Sequence, residues 1–129
     1  MQNLGLRHVA LRVKDAQKSK AFYCDFFDMQ VEWEPDAKNV YLTTHSQDNL
    51  ALHEEEVPEN TKQGLDHIGF IFASVAAVKE LYQIALVKNI PIAKEPKGHR
   101  DGAYSFYLKD PDGYVVQVIY HPPIAVKNP

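Results

Sequence analysis

The chain has 129 residues, of which 45% are hydrophobic and 24% charged, a composition that favours one globular domain with a buried core. Fourteen Lys and Arg residues against 17 Asp and Glu give a net charge of −3, so nucleic acid is not an expected partner. No apolar stretch approaches the roughly 20 residues that span a bilayer, and the N-terminus lacks a signal-peptide pattern. The single cysteine excludes an intrachain disulfide, so we expect a cytoplasmic protein.

The first part of the chain predicts a strand, a helix and three further strands. Residues 7–13 (RHVALRV) alternate apolar and polar residues, which is typical of a strand with one buried face. Asp15 can cap a helix over about residues 16–27, because its side chain accepts hydrogen bonds from the first turn. Turn-forming residues then separate three short strands, expected at roughly 30–34, 39–44 and 49–54.

The second part of the chain repeats this order. Residues 66–72 (DHIGFIF) again alternate after a histidine, and Ser74 can cap a helix over about residues 75–88. Asp110-Pro111-Asp112-Gly113 predicts a tight turn, since Pro sets one turn torsion and Gly permits a positive φ. The strands after this helix are expected at roughly 92–95, 103–109 and 114–121.

The repeat predicts an α+β fold of paired βαβββ modules around a cleft. We expect one domain over residues 1–129, with module one at about 4–56 and module two at about 65–121. Residues 57–64 are polar and contain Pro and Gly, which predicts a linker between the modules.

The two-residue period of the strands also sorts the polar side chains by face. The more apolar face of each strand should pack on a helix, which leaves the other face to line the cleft. Small neighbours, including Ala10 and Gly69, leave room there for an ion or ligand. Imidazole nitrogens suit zinc, iron, nickel or cobalt. Each module places one candidate on its first strand and one on its last, which gives the set His8, His53, His67 and Gln117.

Four segments of the sequence resemble the vicinal oxygen chelate superfamily, which includes glyoxalase I, fosfomycin-resistance proteins, bleomycin-resistance proteins and extradiol dioxygenases. The segments are HVALRV (8–13), KSKAFYCDFF (18–27), LDHIGF (65–70) and DPDGYVVQV (110–118), of which the last is the most specific. The resemblance extends from about Leu4 to Tyr120 and implies that the modules form a curved mixed sheet.

The resemblance implies a divalent metal site. The family's first-strand His, fifth-strand His and eighth-strand Glu correspond to His8, His67 and Gln117, and His53 occupies the place of a further ligand in glyoxalase I. The departure is Gln117, because an amide neither brings negative charge to a metal nor acts as a base. Zinc, nickel, iron or manganese is therefore one expectation, and a metal-free site is the other. His53, if it does not bind the metal, is a candidate base.

Two functions follow from this resemblance. The first is a metal-dependent lyase, isomerase or dioxygenase acting on a small molecule with neighbouring oxygens. The alternative is a metal-free protein that sequesters a small molecule, as bleomycin-resistance proteins do. Family members of this size are commonly homodimers, and a homodimer is expected here. The charged segment 94–102 predicts either a solvated loop or a mobile lid, and the candidate substrate contacts are Arg12, His99, Arg100 and Tyr104.

Overall fold

A computed structural model of the chain describes residues 3–56 and 65–125. These residues form two compact units, one within Met1–Gln63 and the other within Gly64–Pro129. Each unit contains one β-α-β-β-β module with a four-stranded mixed sheet, which confirms the predicted α+β class and the repeat. The predicted linker, residues 57–64, lies outside the described residues. In residues 3–56 and 65–125, every helix is too short or too polar to cross a membrane.

The first unit is a four-stranded sheet with one helix. Its elements are β1 (His8–Val13), α1 (Ala16–Phe27), β2 (Gln30–Asp36), β3 (Asn39–Thr43) and β4 (Asn49–Glu54). The strand order is β1-β4-β3-β2, with β1 parallel to β4 and the other neighbours antiparallel. Helix α1 begins after Asp15, whose carboxylate accepts hydrogen bonds from the backbone N–H groups of Gln17 and Lys18, as predicted.

Helix α1 covers one face of this sheet and leaves the histidines on the other. The apolar side chains of the helix-covered face are buried together with the aromatic stripe of α1: Leu11, Val13, Val40, Leu42, Leu50, Leu52, Tyr23, Phe26 and Phe27. Glu54 also faces α1, because its Oε1 accepts a hydrogen bond from the backbone N–H of Ala16 at 3.0 Å. Its neighbour His53 therefore points to the opposite face.

The second unit has the same organisation. Its elements are β5 (Ile68–Ile71), α2 (Val75–Val87), β6 (Ile92–Gly98), β7 (Tyr104–Lys109), β8 (Val115–Tyr120) and a short α3 (Pro122–Ala125). The strand order is β5-β8-β7-β6, with β5 parallel to β8. The predicted turn between β7 and β8 is present: the Asp110 carboxylate accepts from the N–H groups of Asp112 and Tyr114, and Gly113 has φ +87°. The buried core comprises Val78, Ala85, Ala103, Phe106, Leu108, Val116 and Val118.

Strand β6 is longer than the sequence indicates. It was expected to end near residue 95, but it continues to Gly98 and pairs with β7 up to Tyr104. Strand β6 is an edge strand, so Pro96 can lack an N–H without breaking a ladder, and its register shifts absorb the irregularity. The segment 94–102 is therefore mostly strand, and only a tight turn remains, closed by a 2.8 Å hydrogen bond from the His99 N–H to the Ala103 carbonyl.

Candidate functional site

The histidine face of the first unit, meaning the sheet face opposite α1, carries His8 and His53 at different positions along the strands. In the parallel pairing of β1 with β4, His8 lies opposite Asn49, and Arg12 lies opposite His53. A separation of four residues along a strand is about 13 Å. Two imidazole nitrogens on one zinc ion lie at most about 4 Å apart. The structure therefore does not bring His53 to His8, either as a ligand of one ion or as a base beside it.

The same register shows which positions of the two units are equivalent. Gln117 lies opposite Gly69, which is two residues after His67, and the corresponding residue two after His8 is Ala10. Ala10 lies opposite Ala51. Ala51, and not His53, is thus the counterpart of Gln117, and the polar residue nearest to His8 on β4 is Asn49.

Asn49 fixes the orientation and protonation of His8. The amide Nδ2 of Asn49 donates to the Glu32 carboxylate at 2.6 Å, so its Oδ1 is left to accept. That Oδ1 lies 2.8 Å from His8 Nδ1, which must therefore carry the proton. In the neutral imidazole, Nε2 then has the free lone pair, which is the form that binds metals.

His53 is held by a second chain of the same kind. The amide Nδ2 of Asn39 donates to both carboxylate oxygens of Asp36, at 3.0 and 3.2 Å, and its Oδ1 lies 2.8 Å from His53 Nδ1. The Asn39 side chain, followed by the backbone N–H of Lys38, lowers the pKa of Asp36, because these hydrogen bonds stabilise the ionised form. In the neutral form of His53, this contact places the proton on Nδ1 and the lone pair on Nε2.

In the second unit, the face opposite α2 brings His67 and Gln117 together around Tyr107. Gln117 Nε2 donates to the Tyr107 hydroxyl at 2.9 Å, and the rings of His67 and Tyr107 meet edge to face at 5.1 Å. His67 Nδ1 donates to the Asp66 carboxylate at 2.6 Å, so the neutral ring has its lone pair on Nε2. Gly69 lies beside the free Gln117 Oε1, and a Cβ there would approach that oxygen to 3.5 Å.

The predicted substrate contacts are divided between these faces and other parts of the two units. Tyr104 has the strand parity of Phe106 and lies under the ammonium of Lys79 from α2, at 5.5 Å, so it is on the helix-covered side. The His99 ring bonds to the buried Ser105 hydroxyl at 3.1 Å, and Arg100 is exposed in the β6–β7 turn. Arg12 is on the histidine face and pairs with Glu55 at 3.7 Å. Ser105 has the strand parity of Tyr107, so the His99 ring contacts the face that carries His67 and Gln117. Of the four, Arg12 and His99 are therefore associated with a face that carries a candidate histidine.

Sequence reasoning missed Asn49, Asn39 and Tyr107. Strand parity gives their face, because Asn49 has the parity of His53 on β4 and Tyr107 is opposite in parity to Phe106 on β7. It does not give their partners, which depend on the register. Within residues 3–56 and 65–125, no group of three or more His, Cys, Asp and Glu side chains is arranged to hold a metal ion. The candidate ligands His8, His67 and Gln117 do not count as such a group, because Gln117 is not one of these four residue types.

Comparison with known proteins establishes the family. The model of the Glyoxalase/Bleomycin resistance protein/Dioxygenase superfamily matches residues 5–118, which is most of the chain. This chain belongs to that superfamily. No curated protein sequence gives a significant match.

Solved structures agree with the superfamily fold. A lactoylglutathione lyase from Agrobacterium tumefaciens is 22% identical, with a TM-score of 0.70 and coverage of 90% of this chain and 92% of that chain. The fosfomycin resistance protein FosX from Listeria monocytogenes is 21% identical, with a TM-score of 0.75 and coverage of 94% and 95%. An integron cassette protein from the Halifax Harbour sewage outfall metagenome is 22% identical, with a TM-score of 0.77 and coverage of 91% and 98%. At these identities the likeness shows the superfamily fold alone.

Proposed function

We propose that this protein is a metal-dependent enzyme that acts on a small molecule with two neighbouring oxygen atoms, and that His8, His67 and Gln117 hold the divalent ion. The observation that carries this proposal is the hydrogen bond at Nδ1 of each of the two repeat-related histidines. Asn49 and Asp66 accept hydrogen bonds from the Nδ1 atoms of these rings. In the neutral rings, Nε2 therefore has a lone pair that can bind a metal ion. His8 begins β1 and His67 directly precedes β5, so the two histidines with this arrangement stand at corresponding places in the two modules.

The donor set fits a divalent ion in atom type and determines the charge of the site. Two neutral imidazoles and one amide oxygen bring no negative charge, so the site retains a positive charge of about two units. A divalent ion held there would supply positive charge to two neighbouring substrate oxygens. Because the protein contributes no carboxylate, we expect the substrate anion itself to complete the ligand set.

The chain's own residues hold this donor set in place. Asn49 and Asp66 orient the two imidazoles, and the Tyr107 hydroxyl binds the amide of Gln117 so that Oε1 faces the space beside Gly69. The usual set for iron(II) oxygenases, two histidines and one carboxylate, is incomplete here. We therefore favour non-redox lyase or isomerase chemistry over dioxygenation. Zinc, nickel and manganese are the preferred candidates, with iron as the alternative.

One observation favours a second function, a metal-free protein that binds and sequesters a small molecule. The Gln117 amide is already engaged with Tyr107, and the Lys94 ammonium lies 5.0 Å from the centre of the same ring. An aromatic ring, an amide and a cation together can bind an anionic or polar ligand without a metal. This function predicts binding without turnover, and metal analysis distinguishes it from the first.

The decisive experiment measures metal content after equilibration with Zn²⁺, Ni²⁺, Mn²⁺ or Fe²⁺ and gel filtration. We expect about one ion per chain in the wild type, and at least about a 100-fold weaker affinity in His8→Ala and His67→Ala, because each loses a directly bonded ligand. His45→Asn is the matched control: His45 is exposed with φ +53°, a conformation that Asn tolerates. Light scattering on the same samples tests the proposed homodimer, which has twice the 14.7 kDa of one chain. Wild-type protein that retains no metal would overturn the proposal.

A further inference from the structure

The edge strand β2 changes its register against β3 twice. The shifts fall between Val31 and Trp33 and between Trp33 and Asp36, and in each interval β2 has one residue more than β3. An extra residue of this kind is a β-bulge, which re-aims the side chains that follow it. Val31 accordingly lies opposite the buried Leu42 of the helix-covered face, whereas Trp33 lies opposite Tyr41 of the histidine face.

Glu32 lies within the first of these bulges, and its side chain crosses the neighbouring strand. Its carboxylate accepts the 2.6 Å hydrogen bond from Asn49 Nδ2. Asn49 is on β4, and β3 lies between β4 and β2, so the contact spans two strand spacings, about 10 Å. A residue of the outermost strand on one side of the sheet thereby holds the partner of His8, which is on the outermost strand of the other side.

The order of donors and acceptors along this chain allows one orientation of the Asn49 amide. An ionised carboxylate only accepts hydrogen bonds, so the NH₂ group of the amide must face Glu32. The amide oxygen is then turned to His8, 2.8 Å from Nδ1. Without Glu32, the amide could flip and donate to Nδ1 instead, which would place the ring proton of neutral His8 on Nε2 and remove the lone pair there.

A second carboxylate of β2 stands in the same relation to His53. Asp36, at the end of the second bulge, accepts from Asn39 Nδ2, and Asn39 Oδ1 lies 2.8 Å from His53 Nδ1. Asp36 also accepts from the backbone N–H of Lys38, so this chain belongs in part to the β2–β3 turn. The contact of Glu32 joins residues 17 positions apart and is not part of a turn.

We propose that Glu32 is a positioning residue that fixes neutral His8 as the tautomer with its proton on Nδ1, by holding the Asn49 amide in one orientation. This effect on the ring does not require a metal ion. Its consequence for metal binding rests on the proposed function: a His8 ring with the proton on Nε2 would have to lose that proton before Nε2 could bind the ion. Glu32 therefore influences metal affinity without contacting the metal.

The test follows the tautomers of His8 and His53 in metal-free protein labelled with ¹⁵N-histidine, at about pH 8.5, where histidine is neutral. Long-range ¹H–¹⁵N spectra distinguish a protonated ring nitrogen from one with a lone pair, and His8→Ala and His53→Ala assign the signals. We expect the proton on Nδ1 of both rings in the wild type. Glu32→Gln keeps the side-chain size but can also donate to Asn49, so it should move the two His8 nitrogen signals toward each other, as in a mixture of tautomers. Glu32→Ala should do the same.

Two variants of the same strand are matched controls. Asp36→Asn should shift the His53 signals and leave those of His8 unchanged, which is the reverse of the result for Glu32→Gln. Glu34→Gln removes the same negative charge from β2, but Glu34 bonds to side chains of α1. It should shift neither histidine.

The affinity for Zn²⁺ is the second readout. Glu32→Gln should weaken binding by about 10-fold, a typical effect of substituting a group that orients a metal ligand. Glu34→Gln should change it by less than about threefold. The proposal is overturned if Glu32→Gln and Glu32→Ala both leave the His8 signals as in the wild type, or if Glu34→Gln shifts them equally. A wild type that binds no Zn²⁺ but shows these tautomer shifts would contradict the proposed function and support the role of Glu32 in positioning His8.

Discussion

Gln117→Glu is expected to tighten divalent metal binding by roughly 10- to 100-fold, the range over which ligand charge tunes ion affinity in other sites. The substitution replaces a neutral amide oxygen with a carboxylate of almost the same size, so it adds charge without changing shape. The Tyr107 hydroxyl, which accepts from the Gln117 amide at 2.9 Å, can rotate and donate to the new carboxylate. Competition with a fluorescent chelator measures the dissociation constant.

A matched control distinguishes a direct ligand from a general change of charge. Lys109→Gln lowers the net charge by the same one unit, at an exposed position on β7. It should change metal affinity by less than about threefold, since exposed charges interact weakly through water. Equal effects of the two substitutions, or no effect of Gln117→Glu, would show that residue 117 does not contact the ion.

Phe106→Ala is expected to lower the free energy of unfolding by about 3–5 kcal/mol. Phe106 has no exposed surface, and its ring meets that of Tyr82 on α2 at 5.3 Å. The truncation therefore leaves a cavity between α2 and the sheet, at the place where helix and strands pack. Denaturant unfolding followed by circular dichroism measures the change.

Val87→Ala is the control for this prediction. Val87 also belongs to the second unit, but it is 81% exposed at the end of α2. Its truncation should change the free energy of unfolding by less than about 0.5 kcal/mol. A loss below about 1 kcal/mol for Phe106→Ala would mean that the packing of α2 on β7 contributes little to stability.

The faces of the strands were predictable from sequence, because the two-residue period is a local property. Burial of Leu11 and Val13 in β1, and of Val116 and Val118 in β8, follows this alternation. The helix starts were predictable for a similar reason, since Asp15 and Ser74 each bond within the next three residues.

The register between strands was not predictable in the same way. A shift of two residues keeps every side chain on its face, so the hydrophobic pattern does not distinguish His53 from Ala51 as the counterpart of Gln117. Pairing across the sheet is set by contacts between residues distant in sequence. His8 and Asn49, for example, are in contact although they are 41 residues apart. The same limit hid the carboxylate–amide–histidine chains, whose three members lie on different strands or turns.

Strand β6 shows a different limit. Its sequence IAKEPKG is charged and contains Pro, which is typical of a loop. Strand β6 lies at the edge of the sheet, so only one of its sides must form hydrogen bonds to a neighbouring strand, and a proline is tolerated. Its edge position depends on the topology of the whole unit, which a local pattern does not reveal. The segment predicted as a solvated loop or a mobile lid is thus a strand that ends in a tight turn.

The central claim is that His8 and His67 bind one divalent ion through Nε2, and a crystal structure of the Ni²⁺- or Zn²⁺-loaded protein tests it most directly. Data collected at the absorption edge of the metal give an anomalous difference peak at the ion. We expect one peak per site, about 2.0–2.1 Å from the Nε2 atoms of a His8 and a His67 and in contact with Gln117 Oε1. A loaded crystal without a peak at these atoms, or with the ion on other residues, would contradict it.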